Sequence, residues 1–374
     1  MTNATHNRRE FLSAIAVLAA AGMTASEAGA ASPPPQAERG LAAGDDFSFV
    51  PGLIYLQTGS LGPSPRPVME RTIAAWKELE LDPVFFAYFQ HEREMDVVRA
   101  KAAAFIRCKT VELVLTRCTT DGMNWVAQGL TLKPGDRVLT TDQEHPGGRS
   151  CWDYSVRRYG IALDVVAISP GENDAQAIVD RVAKKMTPRT RVLSFSHILT
   201  STGLRMPVAE LSALARARGC IAVVDGAQAL GGVPVDVKAL GCHVYATSGH
   251  KWLLGPKGTG LLYLSEELGN SIDPIALQSG RAAYSDSSGV SSVYSILGLG
   301  AAFDYISAIG SSRIEAHNLA LRNRLYAALQ DVPKLRVVIR RAADALFVMI
   351  GADAATYWLP PQLQRENGYV RTGR

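Results

Sequence analysis

Cysteine is scarce in this chain: five of 374 residues, at positions 108, 118, 151, 220 and 242. No two form a C-x-x-C pair or stand at metal-finger spacing, and an odd number cannot pair off completely. Neither a zinc module nor a full disulfide framework is expected. Charge of one sign is also lacking. Thirty-nine basic residues against 35 acidic ones leave a net charge of +4, with no dense Lys/Arg run and no interleaved aromatics. That argues against a nucleic-acid partner, which calls for a concentrated basic face. The apolar run near the N-terminus, Phe11–Met23, has 13 residues, too few to span a bilayer. The glycine-rich stretch Gly255–Gly260 lacks G-x-G-x-x-G spacing, which disfavours a nucleotide-binding Rossmann protein. What is present is a chain that is 47% hydrophobic and 20% charged, with a mean hydropathy of +0.04. This is too apolar for disorder and too mixed for a membrane bundle or a collagen-like fibre. Its length suits one large domain plus a smaller one, or two medium ones.

The first 30 residues read as an address. Arg8-Arg9-Glu10-Phe11-Leu12 opens a mildly apolar run, Ala28-Gly29-Ala30 is a small-residue cleavage pattern, and Pro33-Pro34-Pro35 follows. A basic start, a short apolar stretch and an A-x-A site describe a signal peptide. The adjacent arginines fit the twin-arginine type, which moves proteins already folded, so the expectation is a periplasmic or secreted protein. The alternative, an amphipathic N-terminal helix, lacks a polar face.

Residues 31–67 form a leader with a turn-rich loop. A strand is expected at Leu53–Gln57, and helices at Val68–Leu81 and Met95–Ile106. Short apolar strands then alternate with helices. The strands are Val111–Leu115, Arg137–Thr140, Ala162–Ala167, Val192–Phe195, Ile221–Val224, Val244–Thr247 and Gly260–Leu264. The helices are Asp121–Gln128, Gly148–Tyr159, Ala175–Lys185 and Val208–Arg218, with two more at Ile296–Ile309 and Arg313–Leu329. Such alternation means an α/β domain, set at 68–299, with a mostly parallel sheet covered on both faces. Ligands of such sheets bind at the carboxyl ends of the strands. Residues 300–374 are left for a small C-terminal domain.

Four loops at strand ends carry residues with no obvious core role. Ser248-Gly249-His250-Lys251 puts a lysine after a buried strand, where its amine can form a Schiff base with an aldehyde. Asp225-Gly226-Ala227-Gln228 offers a carboxylate able to pair with a ring nitrogen. Thr119-Thr120-Asp121-Gly122, at a strand-to-helix junction, offers hydroxyls and free N–H groups to an anion. Glu144-His145-Pro146 offers a flat ring. Each has a plainer explanation alone: a helix cap for Thr119 and Thr120, a turn cap for Asp225, a surface histidine for His145, a solvated charge for Lys251. Together they describe a ligand with an aldehyde, a phosphate, a ring nitrogen and a flat face, which is pyridoxal 5′-phosphate.

These segments, with Ser196-His197 and Thr202-Gly203, resemble the class V aminotransferase family, and within it the isopenicillin N epimerase-like branch that neighbours the cysteine desulfurases. Tyr55–Pro63 resembles that branch's substrate loop, and the likeness covers about residues 50–330. The resemblance implies a fold type I PLP-dependent transferase working as a homodimer. It implies that Lys251 holds the internal aldimine and shuttles the Cα proton, and that Asp225 pairs with the pyridine nitrogen. Gln228 contacts the phenolic oxygen, with Thr200 near it. Thr119, Thr120, Ser248 and His250 bind phosphate, and His145 stacks on the ring. The substrate is an amino acid or short peptide, and epimerisation, elimination and transamination all remain open.

Three departures stand beside the likeness. No cysteine follows Cys242, so persulfide-forming desulfuration is not expected. Tyr284–Ser292 is serine-rich where relatives carry a Gly-Thr loop reaching the partner subunit's phosphate, leaving Ser288 and Gly289 as candidates. The segment from Val338 does not resemble the family's C-terminal domain, and Arg340, Arg341, Arg371 and Arg374 lack a recognisable context for a substrate carboxylate. A shortened or altered terminus and a merely divergent one are both open. They motivate the alternative of an exported homologue without turnover.

Overall fold

The computed structural model describes residues 44–51, 53, 55–169 and 171–330. The signal segment, the apolar stretch at 342–351 and the four C-terminal arginines lie outside them.

Seven strands form one mixed sheet: β1 (Leu113–Thr116), β2 (Arg137–Thr141), β3 (Ala162–Val166), β4 (Thr190–Ser196), β5 (Ile221–Asp225), β6 (Val244–Ser248) and β7 (Gly260–Leu264). Their order is β1-β7-β6-β5-β4-β2-β3. Strands β2 to β6 run parallel, while β7 is antiparallel to both β6 and β1. The central strands are runs of small and branched apolar residues because both faces of the sheet are covered. Successive side chains enter opposite cores. Val138, Val223 and Leu262 belong to one, and Leu139, Val224 and Leu261 to the other.

The first core is closed by α3 (Thr119–Gly129) and α4 (Pro146–Tyr159), through Met123, Val126 and Trp152. Trp152 is wholly buried, and its indole N–H donates to Ser194 Oγ at 2.9 Å. The second core is closed by α5 (Ala175–Lys185) and α6 (Val208–Ala217), through Ile178, Val182, Leu211 and Ala215. Two earlier helices, α1 (Arg66–Leu81) and α2 (His91–Phe105), flank α7 (Val293–Ile309). Helix α7 is apolar around most of its circumference because it is packed on several sides. Its glycines allow the close approach: a methyl group at Gly298 would stand 2.0 Å from Thr72 Oγ1. The domain boundary expected between 299 and 300 falls within this helix, and α8 (Ser311–Gln330) follows. No single described helix is long and apolar enough to cross a membrane.

The expected elements recur with shifted ends, and one does not form. Leu53–Gln57 is not a strand; its described residues are irregular. Its polar groups are spent on local turns, with Leu53 N–H on Val50 O and Tyr55 Oη on Leu61 O. Strand β1 starts at Leu113 because Thr110–Glu112 form a single 3-10 turn, tied by the Lys109 N–H to Glu112 Oε2 at 3.0 Å. A short hairpin, β8 (Tyr284–Ser285) and β9 (Gly289–Val290), was not expected in the serine-rich stretch.

The parallel arrangement brings the carboxyl ends of β2, β4, β5 and β6 to one edge. Ser196 lies in register with Asp225, and Asp225 with Ala246. This is the edge from which the four singled-out loops depart.

Candidate active site

The loop after β6 cannot run straight on, because β7 must return antiparallel beside it. Gly249 donates to Thr259 O at 2.8 Å, and Gly255 to Gly249 O at 2.8 Å, folding the loop onto the start of β7. His250 Nδ1–H donates to the Thr259 carbonyl at 3.1 Å. Lys251 is left at the strand end with its side chain on the wall of a cleft of about 650 Å³. Burial holds its amine below the ordinary lysine pKa, and the nearby Asp225 carboxylate opposes that shift.

Asp225 ends β5 and is 5% exposed. Its Oδ1 accepts the Ala227 N–H at 2.9 Å, and burial raises its pKa against the pull of that bond, Lys251 and His145. The glycine after it is required by packing: a methyl group at Gly226 would stand 2.1 Å from the Tyr245 ring. Tyr245 Oη in turn meets His197 Nδ1 at 2.9 Å, and burial pushes that histidine down to about 3, so it is neutral. Gly148 leaves room on the other side, since a methyl group there would lie 2.4 Å from Asp225 Oδ2.

Helix α3 begins at Thr119, and β6 caps it. Ser248 Oγ accepts the Thr119 N–H at 3.1 Å and lies 2.7 Å from Thr119 Oγ1. The Thr120 hydroxyl lies beside Gly147 at the start of α4. The free N–H groups of a helix's first turn, with neighbouring hydroxyls, favour an anion. His145 caps α4, its Nδ1 accepting the Gly147 N–H at 3.0 Å, and its exposed ring lines the cleft. Gln228 is fully engaged. Its Nε2 donates to Gly59 O at 3.0 Å and Thr200 Oγ1 at 3.3 Å, while Oε1 accepts Trp252 Nε1–H at 2.7 Å.

All nine residues singled out from the sequence therefore line one cleft: Thr119, Thr120, His145, Thr200, Asp225, Gln228, Ser248, His250 and Lys251. Ser288 and Gly289 do not line it; they sit in the β8–β9 hairpin. The donor set fits pyridoxal phosphate. A partly buried amine faces a buried carboxylate that has no formal cation bonded to it, hydroxyls and a helix start form an anion cradle, and glycines leave space between them.

The family model for aminotransferase class-V matches residues 61–371. The chain belongs to that family. The match runs beyond the likeness read from the sequence, through the segment that the sequence set apart. An isopenicillin N epimerase of Streptomyces clavuligerus is 36% identical over 60% of this chain and 56% of its own length. A probable cysteine desulfurase of Methanothermobacter thermautotrophicus is 30% identical over 77% of this chain and 75% of its own. A solved structure of a C-DES mutant, with glycine covalently linked to its PLP cofactor, is 26% identical with a TM-score of 0.71. It covers 79% of this chain and 82% of that one. C-DES is described as a cystine C–S lyase in its complex with cysteine persulfide. The fold is thus the fold type I, PLP-dependent one. The match spans less than two thirds of the length of the epimerase relatives.

Sequence reasoning passed over four lining or supporting residues. Cys118, counted only as a cysteine, precedes α3 and lines the cleft. Arg117 stands at the rim in a forked pair with Asp121, Nε to Oδ2 at 2.6 Å and Nη2 to Oδ1 at 2.9 Å. Both lie next to the Thr-Thr motif, and that adjacency was the available signal. Lys257, inside the glycine-rich stretch after Lys251, donates to Gly62 O at 2.7 Å. Glu144, quoted only as the neighbour of His145, accepts Thr141 Oγ1–H at 2.6 Å and Ser196 Oγ–H at 2.5 Å. Burial, with Asp225 adding to it, raises its carboxyl to about 7 despite those two donors. Between the ordinary 4.5 and about 7, the folded protein keeps a proton that the unfolded chain releases. This group's contribution to stability therefore falls as pH rises through that window. Glu144→Gln removes the titration, so its thermal midpoint is expected to fall less than the wild type's between pH 4.5 and 7. Equal slopes in the two proteins would contradict the assignment.

Proposed function

We propose that the protein binds pyridoxal 5′-phosphate through Lys251 and acts on the α-amino group and Cα of an amino acid or short peptide. The observation that carries this is one cleft holding the Lys251 amine and the buried Asp225 carboxylate, each shifted by burial and opposed by the other. The epimerase, desulfurase and C–S lyase relatives support it, since each name refers to chemistry on an amino acid or peptide.

When bound, the cofactor supplies an aldehyde for amines and a ring that withdraws electrons from Cα. This chain's residues supply the rest. Lys251, its ammonium made more acidic by burial, would hold the aldehyde carbon at rest and then serve as acid and base for the Cα proton. Asp225 keeps the ring nitrogen protonated, because a cation beside it offsets the cost of burying the carboxylate. Thr119, Thr120, Ser248, His250 and the N–H groups of α3 bind the phosphate. His145 covers one face of the ring. Thr200 accepts a bond from Gln228 and keeps its own O–H to donate to the phenolic oxygen, so Gln228 acts there through Thr200. With no cysteine after Cys242, the favoured outcomes are those that begin at Cα under Lys251: epimerisation, β-elimination or transamination.

The test is exchange of the Cα hydrogen, screened across amino acids on the cofactor-loaded protein. At least one amino acid is expected to exchange. Lys251→Ala is expected to lose the visible absorbance and to slow exchange by roughly 10²–10⁴-fold. Cofactor uptake without exchange on any amino acid would support the alternative of a homologue without turnover. Failure to take up the cofactor would contradict the proposal and leave the alternative, a homologue that binds it weakly or not at all.

Two further parts of the proposal concern where and in what company the protein works. Export by the twin-arginine route rests on Arg8-Arg9 and Ala28-Gly29-Ala30. Fractionation is expected to recover a chain shortened by about 30 residues outside the cytoplasm. An uncleaved cytosolic chain would contradict it. A homodimer is supported by the exposed apolar side chains of Trp76, Val84, Phe85 and Phe89, which a partner chain could cover. Sedimentation equilibrium is expected to give the mass of two chains, and the mass of one would contradict it.

A further inference from the structure

The loop 57–64 forms part of the cleft wall through Gly59 and Ser60. It contains no regular secondary structure, so its position depends on the bonds that attach it to its surroundings. Gly62 N–H donates to His250 O at 2.7 Å, one residue before Lys251. The contact is close enough to demand glycine: a methyl group at Gly62 would stand 1.9 Å from the Lys251 carbonyl oxygen. Gln228 Nε2 holds Gly59 O from the cofactor side at 3.0 Å. On the outer side stands Lys257. Its Nζ donates to Gly62 O at 2.7 Å and to Ser64 Oγ at 3.3 Å, and Ser64 Oγ donates on to Gly255 O at 3.2 Å.

Lys257 is an exposed residue whose ammonium is tucked inward. Among the described residues no carboxylate pairs with it; its bonds go to the loop. A surface lysine ordinarily keeps its charge in water. This one gives up part of that hydration to a carbonyl and a hydroxyl, and its pKa is lowered by that burial. The bonds from Gly62 and from Lys257 also meet on one peptide region: His250 O takes the Gly62 N–H, and Lys257 takes the Gly62 carbonyl. Gly62 is thus gripped from both ends by the segment that carries Lys251.

We propose that Lys257 is a positioning residue, whose ammonium pins the Gly59–Ser64 loop onto the Lys251 loop and so fixes the cleft wall that an amino-acid substrate meets. This rests on the reading of the cleft as the site of a Lys251-bound cofactor. The pinning itself is a property of the chain and is measured separately.

The experiment is hydrogen–deuterium exchange of the cofactor-loaded protein, followed on peptides covering residues 57–64. Lys257→Met is expected to exchange roughly tenfold faster there, with the rest of the chain unchanged. Lys257→Arg, which keeps a donor cation, is expected to restore protection. Gly62→Ala, which removes the fit without touching the charge, is expected to release the same segment. Hydroxylamine serves as the probe of the wall: it should bleach the visible absorbance of Lys257→Met several-fold faster than that of the wild type, with absorbance at full loading unaltered. Wild-type exchange at 57–64 in Lys257→Met would overturn the proposal. A wild type that takes up no cofactor would overturn the reading of the cleft while leaving the exchange result to decide the pinning.

Discussion

The architecture of the site turns on the cost of burying one carboxylate. Asp225 ends a central strand, 5% exposed, with its Oδ1 bonded to a backbone N–H. A buried anion of this kind must be neutralised, bonded or paired. Much of the local sequence answers to it. Gly226 is fixed by the Tyr245 ring, and Gly148 by Asp225 Oδ2 itself. His197, kept neutral by burial, bonds Tyr245 below. Glu144, the second carboxyl nearby, is raised toward protonation instead of adding a second buried charge. The nearby amine is Lys251, itself poorly solvated. An acid and an amine that each disfavour their charged form, set on one cleft, form a site prepared for a ligand with a cationic nitrogen and an electrophilic carbon.

Much of this was legible in the sequence because the chemistry sits at strand ends. A lysine after Val244–Thr247, or an aspartate after Ile221–Val224, is out of place for a core, and the parallel topology puts such positions on one edge. Eight of the nine residues singled out from the sequence came from such loops, Thr200 came from the family resemblance, and all nine line the cleft. What could not be read were properties created by contact between distant segments. Glu144 is raised because the fold buries it, and because β5 brings Asp225 near it, an effect the hydroxyls of Thr141 and Ser196 only partly offset. Gln228 faces three partners from three segments, one of them nearly 170 residues away in the chain. The strand expected at Leu53–Gln57 fails for a different, local reason: Leu53 and Tyr55 find partners within a few residues, and the described part of the run is irregular.

The family relation and the local geometry constrain different things. Membership fixes the fold and the class of cofactor. The local geometry shapes the cleft instead, through the loop 57–64 and through Arg117, which is forked onto Asp121. Gly62 and Lys257 attach this loop to the segment that carries Lys251, so the cleft wall and the proposed cofactor lysine are joined directly.

The central claim is that Lys251, and no other amine, holds the cofactor. It is tested most directly by loading the protein with pyridoxal phosphate, reducing it with borohydride and mapping the modified peptide by mass spectrometry. The account predicts one pyridoxyl-phosphate adduct, on Lys251. An adduct on another lysine, or none after full loading, would contradict it.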